Sequence, residues 1–221
     1  MQKFPATAPV TAVLGIPSGR VHLIAADRTD ITVEVRPADP SRSRDVKAAE
    51  QVSVAHTDGV LRISTAEPKN QLFGPSGSVQ VTVQLPAGSH VQTKADACEL
   101  RVVGRLGDLV FEGAYQHIKV DEAASLRLTA VDGNVEIGRI TGPAQITTHR
   151  GDITVAEAHR GTVDLRTQDG HVTVAAAPGV SASLNAGTGH GRVSNALKND
   201  GATGLTIRAT THRGDITAHS L

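Results

Sequence analysis

The sequence has very few aromatic residues and a single cysteine. Its 221 residues include three Phe, one Tyr and no Trp, and the one cysteine is Cys98. So few aromatic rings cannot form a base-stacking platform for single-stranded nucleic acid. A single cysteine excludes an intramolecular disulfide, which is typical of a protein from a reducing compartment.

An excess of charge of either sign is also absent. Lys and Arg together number 22, as do Asp and Glu, so the formal net charge is zero. The two signs are mixed along the chain, and no segment forms a basic arm. We therefore expect no nucleic-acid partner and no attraction to an anionic membrane surface.

Long apolar runs are missing as well. No stretch approaches the roughly 20 apolar residues of a transmembrane helix. The first fifteen residues, MQKFPATAPVTAVLG, lack the basic start and sustained apolar core of a signal peptide. These observations predict a cytoplasmic protein without direct membrane insertion.

The sequence does contain a regular series of aliphatic pairs. Within each pair the spacing is two residues, which places both side chains on one face of a strand. Successive pairs begin about nine residues apart, enough for a strand of about five residues and a turn. The pairs are Leu100/Val102, Leu109/Phe111, Ile118/Val120, Leu126/Leu128, Val135/Ile137, Ala144/Ile146, Ile153/Val155, Val163/Leu165, Val172/Val174 and Ala182/Leu184.

Glycines add a second, longer period to this series. Every second unit opens with a Gly-x-Val or Gly-x-Ile turn, so one full repeat has about 18–20 residues and two short strands. Such a unit cannot bury its apolar face alone, and stacking the units as coils gives a continuous aliphatic core. We predict an all-β fold, a β-solenoid of the β-helix or β-roll kind. The rival is an antiparallel sandwich, but the alternating turn types favour the solenoid. The predicted structural turn residues are Gly133, Gly151, Gly170, Gly191 and Gly214.

The heptapeptide THRGDIT occurs twice, at 148–154 and 211–217. Each copy contains Arg-Gly-Asp, a tripeptide known as a cell-adhesion ligand. We interpret both copies as solenoid corners and predict that they lie three coils apart, with THRGDITAHSL forming an uncapped last coil. The residue after each corner glycine varies, and we interpret it as a solvated turn position. These residues are Asn134, Asp152, His171, Arg192 and Asp215.

The N-terminal region, 1–88, has looser strands that we expect to pack on or cap the solenoid region, 89–221, with no linker between the two. One helical turn is predicted at Asp45–Gln51. Leu72 and Phe73 are apolar residues in a Pro/Gly-rich loop that we expect to fold back on the protein, and they are the candidate partner contact if the loop does not. The predicted strands are Ala12–Ile16, Arg20–Ala25, Ile31–Arg36, Gln51–His56, Val60–Thr65 and Val79–Leu85.

No stretch carries a catalytic or ligand-binding signature. The offsets of His149, His171, His190 and His212 from the corner glycines differ, so they do not predict a shared metal. The tandem GGxGxD units of calcium-binding rolls and the GK[ST] of phosphate loops are absent. Cys98 has no recognisable base and is expected to be a small buried side chain. We therefore predict no catalytic, cofactor-binding or metal-binding residues, and no enzyme.

Several motifs of the chain resemble those of a known protein family. They are Gly19-Arg20-Val21, Asp58-Gly59-Val60, VTVQLPAGS at 81–89 and the units DGNVEI, RGDITV and DGHVTV. With them the chain resembles, over nearly its whole length, a bacterial putative-adhesin family of β-strand repeat proteins of unknown function. The resemblance implies a role at the cell surface and supplies no catalytic residues.

Three functions remain open at this point. The first is a non-enzymatic binding or scaffold protein that presents a sheet face to a protein or cell-envelope macromolecule. The second is a self-assembling structural protein resembling the bactofilins, whose coils would stack end to end. The third is a polysaccharide-active β-helix enzyme. We expect a monomer or a small homo-oligomer.

Overall fold

A computed structural model describes residues 1–65, 77–113 and 117–221. These residues form nineteen strands and one helix, α1 (Ser43–Glu50). The strands are β1 (Gln2–Pro5), β2 (Thr11–Gly15), β3 (Ser18–Ala26), β4 (Asp30–Pro37), β5 (Val52–Thr57), β6 (Val60–Thr65), β7 (Val79–Pro86), β8 (His90–Ala95), β9 (Ala97–Gly113), β10 (Ile118–Thr129), β11 (Val135–Ile140), β12 (Ala144–Thr147), β13 (Ile153–Ala158), β14 (Gly161–Asp169), β15 (Val172–Ala176), β16 (Ala182–His190), β17 (Val193–Ala196), β18 (Leu205–Arg213) and β19 (Ile216–Ser220).

Parallel pairing arranges most of these strands in two ladders. Ladder A runs, in spatial order, through β6, β2, β8, the ends of β9 and β10, then β12, β14, β18 and β16. Ladder B runs through β7, β3, the starts of β9 and β10, then β11, β13, β15, β19 and β17. Each coil gives one strand to each ladder. The predicted β-solenoid with two strands per coil is confirmed.

The aliphatic pairs fill the space between the two ladders. Val135, Ile153, Val172 and Ile216 stand in register on successive strands of ladder B, and all four are fully buried. β-branched side chains fit this stack because each rests on a similar side chain one coil away. Large aromatic residues are scarce in this narrow space, and among the described residues Phe111 is the one that is buried there.

The coils at the C-terminal side do not follow sequence order. The coil β18–β19 lies between β14–β15 and β16–β17, since β18 pairs with both β14 and β16 and β19 pairs with both β15 and β17. The prediction of THRGDITAHSL as the last coil is therefore wrong, because β16–β17 occupies that place. The two THRGDIT copies lie two coils apart in the stack, not three.

The same exchange occurs at the other end. The coil β2–β3 lies between β6–β7 and β8–β9, and the pairing of β2 with β8 and of β3 with β9 joins residues 1–88 to residues 89–221 in one stack. The six strands predicted in this region correspond to β2 through β7. The helical turn predicted at Asp45–Gln51 corresponds to α1, which begins two residues earlier.

Antiparallel strands close this first end of the solenoid. In ladder B, β4 pairs antiparallel with β7 and β1 with β4, while in ladder A β5 pairs antiparallel with β6. The rings of Phe4 and His56 meet with centroids 5.4 Å apart, which joins the two ladders there. Asp45 of α1 is buried and accepts hydrogen bonds from the backbone N–H groups of Asp39 and Ser78. Within the described residues, no helix is long and apolar enough to span a membrane.

Candidate functional site: the glycine corner and the outer sheet faces

The predicted turn glycines form one row along the solenoid. All five have φ between +126° and +159°, a region that disfavours residues with a side chain. A Cβ on any of the last four would overlap the carbonyl oxygen of the glycine in the adjoining coil. Glycine is therefore required here both by the backbone turn and by the close approach of the coils. In spatial order the row is Gly133, Gly151, Gly170, Gly214 and Gly191.

The residues that follow these glycines form a ladder of hydrogen bonds. Each side chain accepts a hydrogen bond from the backbone N–H of the equivalent residue in the next coil. Asn134 Oδ1 accepts from Asp152, Asp152 Oδ1 from His171, His171 Nδ1 from Asp215, and Asp215 Oδ1 from Arg192, at 2.7–3.0 Å. These positions are exposed or, at Asp152, half-buried, as expected of solvated turn residues, and four of the five side chains also link neighbouring coils.

Arg192 ends this ladder. A guanidinium group donates hydrogen bonds and cannot accept one. An arginine inside the ladder would therefore leave the next N–H without its partner. Arg192 stands in the outermost coil, where no further described strand needs an acceptor.

When the residues before the glycines are taken in spatial order, the first four alternate in charge. The row is Asp132, Arg150, Asp169, Arg213 and His190. Arg150 lies 2.9 Å from Asp132, and Arg213 donates to both carboxylate oxygens of Asp169. The hydrogen bond from Arg213 lowers the pKa of Asp169 below its ordinary value.

Threonines support the same corner from inside. They lie three residues before the corner glycines, and each donates its hydroxyl to the carbonyl oxygen of a glycine in the adjoining coil. Thr167 donates to Gly151, Thr211 to Gly170 and Thr188 to Gly214, at 2.9–3.1 Å. These bonds satisfy carbonyl groups that the turn takes out of the strand ladders.

The two Arg-Gly-Asp sequences are thus built into the corner. Arg150 and Arg213 form ion pairs with Asp132 and Asp169, and the two glycines permit the turn. Asp152 and Asp215 accept hydrogen bonds from the adjoining coil. An adhesion ligand is presented on a loop that stands away from its scaffold, whereas these side chains hold coils together.

A second row of alternating charge lies at the other bend of the coils. Arg105, Glu122, Arg139 and Glu157 occupy equivalent positions on four successive coils. Arg139 lies 2.8 Å from Glu157 and 3.6 Å from Glu122, and its hydrogen bond to Glu157 raises its pKa further. Most charges in these two rows are therefore paired with a residue one coil away.

A protein-family profile matches this chain. The Toastrack DUF4097 profile matches residues 14–220, almost the whole chain. The chain belongs to the Toastrack DUF4097 family. This is a family of unknown function, and a search of curated proteins finds no match.

Three crystal structures align with the Toastrack chain at low identity. A putative adhesin from Bacteroides fragilis is 16% identical, covers 98% of this chain and 95% of its own, and gives a TM-score of 0.46. A putative cell adhesion protein from Clostridium sporogenes is 10% identical with coverage of 100% and 98% and a TM-score of 0.39. A putative lipid binding protein from Parabacteroides distasonis is 10% identical with coverage of 98% and 95% and a TM-score of 0.40.

The other chemically distinctive residues of the Toastrack chain are dispersed. The rings of His190 and His212 meet edge to face at 5.7 Å, and His171 belongs to the corner ladder. Among the described residues, no three His, Cys, Asp or Glu side chains cluster as metal ligands. Cys98 is buried, its Sγ lies 3.2 Å from the Ile16 carbonyl oxygen, and burial raises its pKa to about 12. A thiol with such a pKa is a poor nucleophile.

The predicted partner contact, Leu72 and Phe73, lies outside the described residues.

Sequence reasoning did not single out the outer face of ladder B, where four hydroxyl side chains stand in register on successive strands. Strand alternation directs them to solvent, because their neighbours Ile153, Val172, Ile216 and Val193 face inward. In spatial order they are Thr154, Thr173, Thr217 and Ser194.

Proposed function

We propose that this Toastrack chain is a non-enzymatic binding or scaffold module, and that the outer face of ladder B meets a macromolecular partner of the cell envelope. The observation that carries the proposal is the hydroxyl row of Thr154, Thr173, Thr217 and Ser194. Most charges in the two rows at the bends are paired within the solenoid, whereas this row presents hydroxyl groups on a face that is open to solvent. Each hydroxyl can both donate and accept.

The backbone beneath the row supports the same proposal. Every strand that carries these hydroxyls is hydrogen-bonded in parallel ladders, and β13, β15 and β19 have a neighbour on both sides. Adjacent hydroxyls are therefore held about 4.8 Å apart. A rigid surface loses little conformational entropy when it binds, which favours an extended partner with polar groups at a regular spacing.

The choice of a binding module over an enzyme rests on the nucleophiles and charges described above. Cys98 is buried, and the carboxylates at the two bends are held in ion pairs or corner hydrogen bonds. A polysaccharide-active enzyme needs two carboxyl groups that face one substrate. Release of reducing sugar by the purified protein from cell-envelope polysaccharide would replace the binding proposal with that alternative.

Cross-linking in the native cell, followed by mass spectrometry of the attached molecules, tests the proposal. The test variant is Thr217→Arg on the hydroxyl row. Its matched control is Thr210→Arg, which places the same side chain at an exposed position of the same coil on ladder A. We expect a defined partner with the wild type and the control, and a loss of about tenfold or more in its yield with Thr217→Arg.

The same experiment tests where the protein works. We propose that it acts from the cytoplasm against the inner side of the envelope, so the fraction recovered with membranes is recorded for each variant. Equal yields of the partner from Thr217→Arg and Thr210→Arg would exclude ladder B as the binding face. Recovery of background proteins alone, with no effect of deletion on the cell, would exclude the binding function.

A further inference from the structure

The coil β16–β17 leaves one end of the solenoid open. Among the described residues, β16 pairs only with β18 and β17 pairs only with β19. The N–H and C=O groups of a strand alternate between its two sides, so about half of those in these strands lack a strand partner. Only the beginning of the edge is covered, where the N–H of Ala182 donates to the Lys198 carbonyl.

This end also exposes part of the apolar core. Val193 is 46% exposed, whereas its register partner Ile216 in the adjoining coil is fully buried. On the other ladder, Leu184 and Ala186 are only partly buried, although their partners Ile207 and Ala209 are completely buried. The inward-facing side chains of the outermost coil are therefore packed against a neighbouring coil on one side only.

Apart from the shortness of β17, the usual protections of a sheet edge are missing from both strands. Edges are commonly blocked by Lys, Pro, inward-pointing charges or bulges. At the closed end, the edge strand β1 is short and contains Lys3 and Pro5. In contrast, β16 reads ASLNAGTGH and β17 reads VSNA, so neither has a lysine, a proline or an acidic residue.

We infer that the open end is a dimerisation surface and that its occupant is a second copy of this chain. Two copies meet end to end about a two-fold axis, so that edge strands pair antiparallel in both ladders. Both ladders end at the same coil, with β16 as the last strand of ladder A and β17 as the last strand of ladder B. Only a partner that has two strand edges at the same separation can pair with both strands. A second copy has that pair of edges by construction.

Charge selects one of the two possible two-fold arrangements. A two-fold axis parallel to the strands places Arg192 against the same arginine of the second copy, and the two positive charges repel. A two-fold axis normal to the sheet faces places this corner over the opposite bend of the second copy. The loop there carries Lys198 and Asp200, which have no net charge together. In this second arrangement β16 pairs with β16 of the other copy, and β17 with its β17.

The closed end limits the assembly to two copies. At that end β1, β4 and β5 extend the coil β6–β7 with antiparallel strands, and α1 packs on β4 and β7. Within the described residues, therefore, no second edge equivalent to that of β16–β17 is available for growth. The inferred assembly is a dimer rather than a filament. This distinguishes it from the end-to-end polymer considered above.

The test is the molar mass of the full chain in solution, measured by light scattering and sedimentation up to about 100 µM, a range that detects a weak specific dimer. Two variants introduce a charge that points into the interface: Val193→Lys in ladder B and Ala186→Lys in ladder A. Their matched controls, Ser194→Lys and Asn185→Lys, add the same charge to the same strands at exposed positions facing outward.

We expect a dimer for the wild type and both controls, and an increase of at least about tenfold in the dissociation constant for Val193→Lys and Ala186→Lys. Circular dichroism and the unfolding midpoint at low concentration verify that the variants are folded, and the two variants test the same surface independently. A monomeric wild type over the whole concentration range would overturn the inference. Filaments, or a dimer insensitive to both core-facing lysines, would also overturn it.

Discussion

The outermost coil and the coils inside the stack have the same corner pattern but different surroundings. In the interior, Ile153 and Val172 are completely buried between two neighbouring coils, and Asp152 and His171 both give and receive a hydrogen bond. In the outermost coil, Val193 is 46% exposed and Arg192 only donates its backbone N–H. The difference shows that a corner side chain stabilises the contact with the next coil of the stack and not the coil to which it belongs.

Substitution of a corner glycine should have the largest effect. Gly151→Ala forces a side chain against the Gly133 carbonyl at a φ of +127°, and we expect the free energy of unfolding to fall by about 3 kcal/mol. Gly187 lies in the outermost coil with open space where its Cβ would be. Gly187→Ala should therefore leave stability unchanged or raise it slightly in denaturant unfolding. Equal effects of the two variants would mean that the corner tolerates a side chain.

Truncation of a core valine should have the next largest effect. Val172→Ala removes two methyl groups from a site with no exposed surface, and we expect a loss of about 2 kcal/mol. Val193→Ala makes the same change in the outermost coil and should cost less than about 0.5 kcal/mol. Denaturant unfolding at low protein concentration measures both. A large loss for Val193→Ala under those conditions would show that this coil is covered within a single copy.

Loss of a ladder acceptor should have a smaller effect. Asp152→Ala removes the acceptor for the His171 N–H, and we expect a loss of about 1 kcal/mol. Asp152→Asn keeps the acceptor oxygen that Asn134 provides one coil earlier, so its stability should stay within about 0.5 kcal/mol of the wild type. If Asn and Ala destabilise equally, the carboxylate charge and not the hydrogen bond would be the cause.

The pH dependence should show the smallest effect. Arg213 lowers the pKa of Asp169 below the ordinary value of 3.8, so the folded state binds fewer protons than the unfolded state near that pH. This contribution is fully present above about pH 4 to 5 and is lost as the pH falls through the folded-state pKa. Asp169→Asn should flatten the acid side of the stability curve. An unchanged curve would show that the ion pair does not influence folding.

The coil period and the corner glycines could be predicted because they are local. A strand pair with a glycine turn looks the same wherever it stands in the stack, so Gly151 and Gly214 are recognisable without a structure. The strands of the N-terminal region were equally visible from their alternating residues. The strand β1 was missed because four residues that include a proline give a weak signal.

The order of the coils could not be predicted from the same signals. Any coil can pair with any other through parallel backbone bonds, and their aliphatic pairs are interchangeable. The information lies in the corner residues: Arg213 can pair with Asp169 only if β18–β19 enters the stack before β16–β17. The donor-only Arg192 likewise identifies the last position. Pairing rules for these two rows could have revealed the exchange.

The exchanged order also affects how the stack can come apart. In an array whose outermost coil is continuous with only one neighbour, coils can detach one after another from the end. Here residues 182–196 form the outermost coil. The chain enters this coil from β15 and leaves it for β18–β19, a coil that is paired with a neighbour on both sides. The outermost coil cannot peel away as a free tail, because both of its connections return to the interior. The exchanged order therefore opposes unwinding of the stack one coil at a time. Release of residues 205–220 would remove the pairing partner of the coil β14–β15 and of the coil β16–β17 together.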